Sequence, residues 1–256
     1  MSSEPSTFVP VSELQALAPR AEFPWTICVL FYGDHPELSG RFLDSLYRFT
    51  DPAAFQLRAG LNEVCDETKR AVATVAETYD NVSVVESPEN IYKCPMMRRL
   101  FHESPLESEW TLWFDDDSHV RGPGWVLDLA LTMQNQPDAE LFGSLRKVTV
   151  SEGLEKFISS ARWYRKLPRD RDVSDDSPII IFPVGGFWAI RTQRILEADW
   201  PDVRLQHFQT DYTLGEAMRQ LGVRLAHFES GIRIDDAARR GPRDTPFKLR
   251  HDYDSL

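Results

Sequence analysis

The chain has 256 residues, 42% of them hydrophobic, enough for one large domain with a full core. Lys and Arg total 29 against 40 Asp and Glu, a formal charge of −11 that argues against nucleic acid or an anionic membrane as the main partner. The start lacks the basic and apolar pattern of a secretory signal, no apolar run reaches membrane-spanning length, and Cys28, Cys65 and Cys94 have no metal spacing, which together predict a reduced, cytoplasmic protein.

Residues 1–22 are rich in Ser, Pro and Ala, with a short helix predicted from Ser12 to Leu17, and read as a flexible or peripheral start. Trp25 to Tyr32 is nearly all apolar, as expected of a parallel strand covered on both faces. A loop of Gly33, Asp34 and His35 follows, and Pro36 suits the first position of a helix carrying Leu38, Phe42, Leu46 and Phe49 at helical spacing. Phe55 to Leu61 is the next strand, ending at Asn62 and Glu63, and Asp66 reads as the cap of a helix bearing Val72, Val75 and Tyr79. Val82 to Val85 is a short strand, Ser87 to Asn90 a loop, and Pro95 opens a helix with Met96, Met97, Leu100 and Phe101.

An apolar run from Trp110 to Phe114 then ends in three consecutive carboxylates, Asp115, Asp116 and Asp117. Adjacent acids repel unless a cation or hydrogen-bond donors compensate them. Strand alternation would point Asp115 and Asp117 to one side and Asp116 to the other, offering two carboxylates to a hard divalent cation such as Mn2+ or Mg2+. A solvated acidic turn is the simpler alternative. Pro123 starts a further helix, Glu140 to Leu145 is a strand, and a helix is expected around Phe157 to Tyr164. Arg165 to Asp176 reads as a solvated loop, of a length often found in active-site lids. Ile179 to Val184 is a strand continued by Gly185-Gly186-Phe187-Trp188, Thr192 and Thr210 read as helix caps, and Val223 to Phe228 returns as a strand.

Strands alternating with helices predict an α/β domain with a mostly parallel central sheet, and ligands of such sheets bind beyond the carboxyl ends of the strands. The Gly33–His35 loop, Asn62 and the three aspartates all lie there. Asp211, in the first turn of the helix from Thr210, is placed where a helix dipole favours the anion and lowers the pKa. It is either a helix-end charge or a base. Gly185 and Gly186 suit a bend or a close approach to a ligand, with Trp188 as an apolar wall. Gly-rich phosphate loops and a Gly-x-Ser-x-Gly elbow are absent from the sequence.

Taken in order, the Asp-x-Asp at Asp115–Asp117, the Gly-Gly-Phe-Trp segment and the helix beginning Thr210-Asp211 and closing on Leu221-Gly222 resemble the GT-A-fold glycosyltransferases, especially family 2, over roughly residues 25–236. The resemblance implies a Rossmann-like single domain over 23–236, with a nucleotide-binding half (23–121), an acceptor half (122–236) and a tail (237–256) that would serve as a lid. It implies transfer of a sugar from a nucleoside-diphosphate sugar to an acceptor hydroxyl, with inversion, assisted by Mn2+ or Mg2+. By resemblance Asp211 is the base; Asp115 and Asp117 are metal ligands; and Tyr32, Asp34, Asn62, Asp115 and Asp116 contact the donor. Lys93, Arg98 and Arg239 are further candidates for the donor phosphates, and Gly185, Gly186 and Trp188 for the acceptor. The family's late metal-ligating histidine falls here on Asp235 or Asp236, with His227 and His251 as alternatives. Two rivals are a nucleotidyltransferase of the sugar-nucleotide pyrophosphorylase kind and a non-catalytic nucleotide-sugar-binding module. The first would carry a Gly-rich basic loop after the first strand, and the second would be expected to lose one of the acids.

Overall fold

The computed structural model describes residues 7–207 and 209–234. Its strands are β1 (Trp25–Gly33), β2 (Phe55–Val64), β3 (Val82–Ser87), β4 (Trp110–Asp115), β5 (Ser118–Val120), β6 (Ala139–Thr149), β7 (Ile179–Arg191), β8 (Arg224–His227) and β9 (Ile232–Ile234). The helices are α1 (Val11–Leu17), α2 (Pro36–Phe49), α3 (Asp66–Thr78), α4 (Lys93–His102), α5 (Trp125–Asn135), α6 (Glu152–Ser159), α7 (Thr192–Ala198) and α8 (Thr210–Gln220). Seven strands form the central sheet in the order β3-β2-β1-β4-β7-β6-β8, while β5 and β9 make a separate two-stranded ribbon. Only β7 runs against its neighbours, so the sheet is mostly parallel, as the sequence pattern predicts.

The period of two along β1 divides the core between the two faces of the sheet. Ile27, Val29 and Phe31 pack with Phe42 and Leu46 of α2 and with Phe114 of β4. Cys28 and Leu30 face the other way, among Met96, Met97 and Leu100 of α4 and Trp113 of β4. This two-sided burial is why the strand has no polar alternation. Helix α1 is anchored to the body of the molecule: Leu14 and Ala18 are buried in the first of these clusters, and the Val11 amide donates to Asp51 Oδ2 at 2.9 Å.

The antiparallel strand β7 joins β6 and β8 of the second half of the chain to β4 of the first. Trp113 pairs with Trp188 and Phe114 with Phe187, and the two indoles stack at 6.0 Å and 17°. Helix α8 then lies across β7 at Gly215, where an added Cβ would stand 2.2 Å from the Ile181 carbonyl oxygen.

The segment read as a solvated loop is fastened to α8. Glu216 is fully buried and accepts from Arg169 Nε at 3.0 Å, Arg219 Nε at 2.9 Å and Gln220 Nε2 at 3.0 Å. Gln220 Oε1 in turn accepts the backbone amides of Arg165 and Leu167 at 2.8 and 3.1 Å. A run of charged residues looks solvated when its buried partner lies 53 positions away, as Gln220 does from Leu167.

Gly215→Ala is expected to lower stability by about 3 kcal/mol, because the new methyl meets backbone that has no rotamer with which to yield. Urea denaturation with a change in midpoint at constant slope would show it; a loss within error of zero would mean that α8 can move off β7.

Candidate functional site

The site is built where β4 ends. The strand stops at Asp115, and Asp116 and Asp117 lie in the turn to β5, so strand alternation does not govern how the three acids are aimed. Asp115 accepts from Lys93 Nζ at 2.9 Å through Oδ2 and from Trp113 Nε1 at 3.0 Å through Oδ1. Asp116 is fully buried, and its Oδ2 accepts the Tyr32 amide at 3.1 Å, tying the acid turn to the end of β1. Asp117 is 4% exposed, and its carbonyl accepts from Arg41 Nη2 of α2 at 3.4 Å. A solvated acidic turn would leave such side chains in water; two of the three acids are interior.

Lys93, the first residue of α4, is held between charges. Its ammonium lies 5.7 Å from the Trp113 ring centroid and pairs with Asp115. Burial opposes the cation, but attraction to Asp115 and Asp211, together with the Asp115 hydrogen bond, outweighs it and raises the pKa.

Asp211 reaches the same place from α8. Beyond Phe114–Phe187, β7 continues through Gly186 and Gly185 beside the acid turn. Pairing with β6 breaks there: Gly143 faces Trp188 and Leu145 faces Pro183, leaving Val184 to Phe187 looped around Ser144. The released Gly185 amide donates to the Asp211 carboxylate. A Cβ on Gly185 would lie 2.6 Å from both Asp211 oxygens, so only glycine admits the carboxylate. The sequence predicts a lowered pKa for Asp211 from the helix dipole, and the structure reverses the sign. Burial pushes it up to about 6; Lys93 and the Gly185 amide pull down and Asp115 pushes up. Thr210 is the first helical residue rather than the cap, its hydroxyl donating to the His207 carbonyl at 2.9 Å, and Gln209 takes the cap position at φ 59°.

The other expected donor contacts divide. Tyr32 is 37% exposed at the strand end and Asp34 is exposed in the loop after it. Asn62 is 1% exposed and its amide is spent on structure: Nδ2 donates to Asn90 Oδ1 at 3.1 Å and Oδ1 accepts the Ile91 amide at 2.9 Å. Arg98 is not at the site, because its guanidinium closes the C-terminus of α7 through the Asp199 and Pro201 carbonyls at 2.8 and 2.6 Å and the Asp199 carboxylate at 2.8 Å. Arg98 lies five positions on from Lys93 along α4, and that offset turns it towards α7 instead.

The acceptor candidates lie in the interior. Trp188 is 1% exposed and forms core against Trp113 and Phe101, and Gly186 is buried where a Cβ would meet Ile234 and Ser118. Gly185 faces the Asp211 carboxylate. Glu216 has both carboxylate oxygens committed within the Arg169 and Arg219 cluster, which leaves it no role as a base. His227 accepts the Leu145 amide at Nδ1, 3.2 Å, and lines a separate open depression of about 570 Å³ with Asp128 and Glu229. Asp235, Asp236, Arg239 and His251 lie outside the described residues, as does the tail read as a lid.

Sequence reading missed Asn90 and Arg41. Asn90 Nδ2 donates to the Tyr32 hydroxyl at 3.1 Å and its Oδ1 accepts the Tyr92 amide at 2.8 Å, so one side chain joins the ends of β1 and β2 to the start of α4. The available signal was an asparagine in a loop directly after a strand.

No family model and no curated protein matches the chain. Solved structures do. The mannosyltransferase PcManGT from Pyrobaculum calidifontis, in complex with GDP-Man and Mn2+, is 15% identical with a TM-score of 0.59 over 93% of this chain. S. aureus TarS is 14% identical with a TM-score of 0.54 over 81% of this chain, and GalNAc-T7 with UDP, GalNAc and Mn2+ is 12% identical with a TM-score of 0.57 over 79%. The chain spans 62%, 58% and 41% of those three chains respectively. It has the GT-A fold of these glycosyltransferases. No helix among the described residues is long and apolar enough to cross a membrane.

A carboxyl with a raised pKa binds its proton more tightly in the folded state, so its contribution to stability is full below the unfolded value and is lost as pH rises towards about 6. Asp211→Asn should therefore gain stability relative to the wild type as pH rises from 4 to 7. Paired melting curves across that range test this, and a difference independent of pH would show that Asp211 titrates alike folded and unfolded.

Proposed function

We propose that the chain is a metal-assisted glycosyltransferase that moves a sugar from a nucleoside-diphosphate sugar to a hydroxyl acceptor with inversion, Asp211 acting as base. The observation that carries this reading is the Asp211 carboxylate, held by the Gly185 amide in the field of Lys93 and Asp115 at the carboxyl edge of a GT-A sheet. A base works best with a pKa near the working pH. The rise to about 6 brings Asp211 closer to that condition than an exposed aspartate.

The three consecutive aspartates supply hard oxygen donors at the end of β4 and in the turn after it, a set that suits Mn2+ or Mg2+. Asp117 with Asp115 would hold the ion. No group of three His, Cys, Asp or Glu is gathered for a metal among the described residues, so diphosphate oxygens, with Asp235 as the further protein ligand, would complete the shell. When bound, the ion neutralises charge on the departing nucleoside diphosphate. Two of the fold relatives were solved with Mn2+. Lys93 adds a fixed positive charge at the same edge, and in this reading it also holds Asp115 in place. With Trp188 in the core, the acceptor wall is assigned to Tyr212, next to Asp211 and packed on Phe182 at 4.5 Å.

Titration calorimetry of UDP, GDP, ADP and CDP with Mn2+ should find at least one binder, and Asp117→Ala should abolish that Mn2+-dependent binding. If none binds the wild type, the donor assignment fails.

Asp211→Asn should lower kcat by about 10²–10⁴-fold with nucleotide affinity nearly unchanged, and wild-type kcat/KM should rise with pH through about 6 as the base loses its proton. Near-normal turnover by the folded variant would remove Asp211 from the chemistry.

A further inference from the structure

One residue beside the site stands in a conformation that its side chain opposes. Tyr92 has φ 68° and ψ 171°. Other non-glycine residues with positive φ include Asp199 (φ 49°, ψ 46°) and Gln209 (φ 59°, ψ 14°), which occupy the ordinary left-handed helical region. Tyr92 lies outside that region, in backbone space populated essentially by glycine alone. Strain of this kind persists only where the surroundings over-determine it, and it gathers at ligand sites.

The surroundings do fix it. The Tyr92 amide donates to Asn90 Oδ1 at 2.8 Å, and the neighbouring Ile91 amide donates to Asn62 Oδ1 at 2.9 Å. On its other side Lys93 is locked to Asp115 at 2.9 Å, and Cys94 donates its amide to the Gln206 carbonyl at 2.8 Å. Asn90 also donates to the hydroxyl of Tyr32, whose ring is 37% exposed at the end of β1. A single asparagine therefore holds the Tyr32 hydroxyl and the Tyr92 backbone where the ends of β1 and β2 meet the start of α4. A glycine at position 92 would satisfy every one of these backbone constraints without strain. The tyrosine side chain contributes nothing to them.

We propose that Tyr92 is a nucleoside-contacting residue of the donor site, its half-buried ring set beside Tyr32 so that the two aromatic side chains form the walls against which the base lies. The assignment rests on the nucleoside-diphosphate-sugar reading above and adds to it the residue that recognises the nucleoside. Strand ends of an α/β sheet are where a nucleotide lies. Aromatic side chains bind bases through their π-faces with little preference among them. Lys93 and the acid turn, one step further along the edge, are left for the diphosphate.

The test measures affinity and stability on the same variants. Tyr92→Gly should be at least as stable as the wild type in thermal melts, because the strain is relieved, whereas Tyr92→Ala keeps the strain and should melt lower. Both should weaken binding of the tightest nucleoside diphosphate of the calorimetric panel, in Mn2+, by about 10-fold or more. Affinity for pyrophosphate with Mn2+ should be unchanged, since Lys93 and the acids keep their places. Tyr92→Phe should stay within about 3-fold of the wild type. If Tyr92→Gly binds the nucleoside diphosphate as the wild type does, the ring has no part in recognition and the proposal falls. If pyrophosphate affinity falls with it, the residue acts by aiming Lys93, which also overturns the assignment. Failure of the wild type to bind any nucleotide while binding Mn2+-pyrophosphate would instead defeat the donor reading on which the proposal stands.

Discussion

One ammonium group organises the centre of this molecule. Lys93 Nζ is paired with Asp115 and attracted to Asp211, two carboxylates from elements more than ninety residues apart in the chain. Isolated charges are costly to bury, and here Lys93 is held charged by Asp115 and Asp211, while Asp211 feels Lys93 and Asp115 in turn. The rest of the fold supplies the geometry. Trp113 pairs with Trp188 to set β7 beside β4, the strand bulges from Val184 to Phe187, and the absence of a side chain at Gly185 admits Asp211. Gly215 lets α8 come close enough to deliver it. The sheet, the bulge and two glycines converge on one charge cluster.

The electrostatics of Asp211 show which effect wins when two rules conflict. A helix N-terminus stabilises an anion by about 0.3–1 kcal/mol at an exposed position. Burial can move a carboxyl by several pKa units. Here burial is the largest influence, and the pKa goes up to about 6 despite Lys93 and the Gly185 amide. In the reading proposed above, the same burial makes a weak carboxylate base stronger.

The fold was legible because strand burial leaves a local signature. Trp25 to Tyr32 and Trp110 to Phe114 are apolar on both faces, and the helices between them carry regular apolar spacing. Of the candidate site, Asp115, Asp211 and Lys93 were legible as charged residues at element ends. It was not legible where a role depends on a distant partner. Arg98 looks like a phosphate ligand until Asp199 and Pro201 claim it, and Trp188 looks like a platform until Trp113 covers it. Asn62 stands at a strand end as expected, yet spends its amide on Asn90 and Ile91. Asn90 gave only the signal of an asparagine in a loop after a strand, because what it does is hydrogen-bond three elements to one another.

The most direct measurement of the account follows the slow transfer of donor sugar to water by proton NMR, using the wild type with Mn2+ and the donors of whichever nucleoside diphosphate binds. The anomer released first, before mutarotation, reports the geometry of attack. The account predicts a free sugar of inverted configuration, formed at a rate that falls at least 100-fold in Asp211→Asn. A first-formed sugar of retained configuration, or an undiminished rate in that variant, would contradict it.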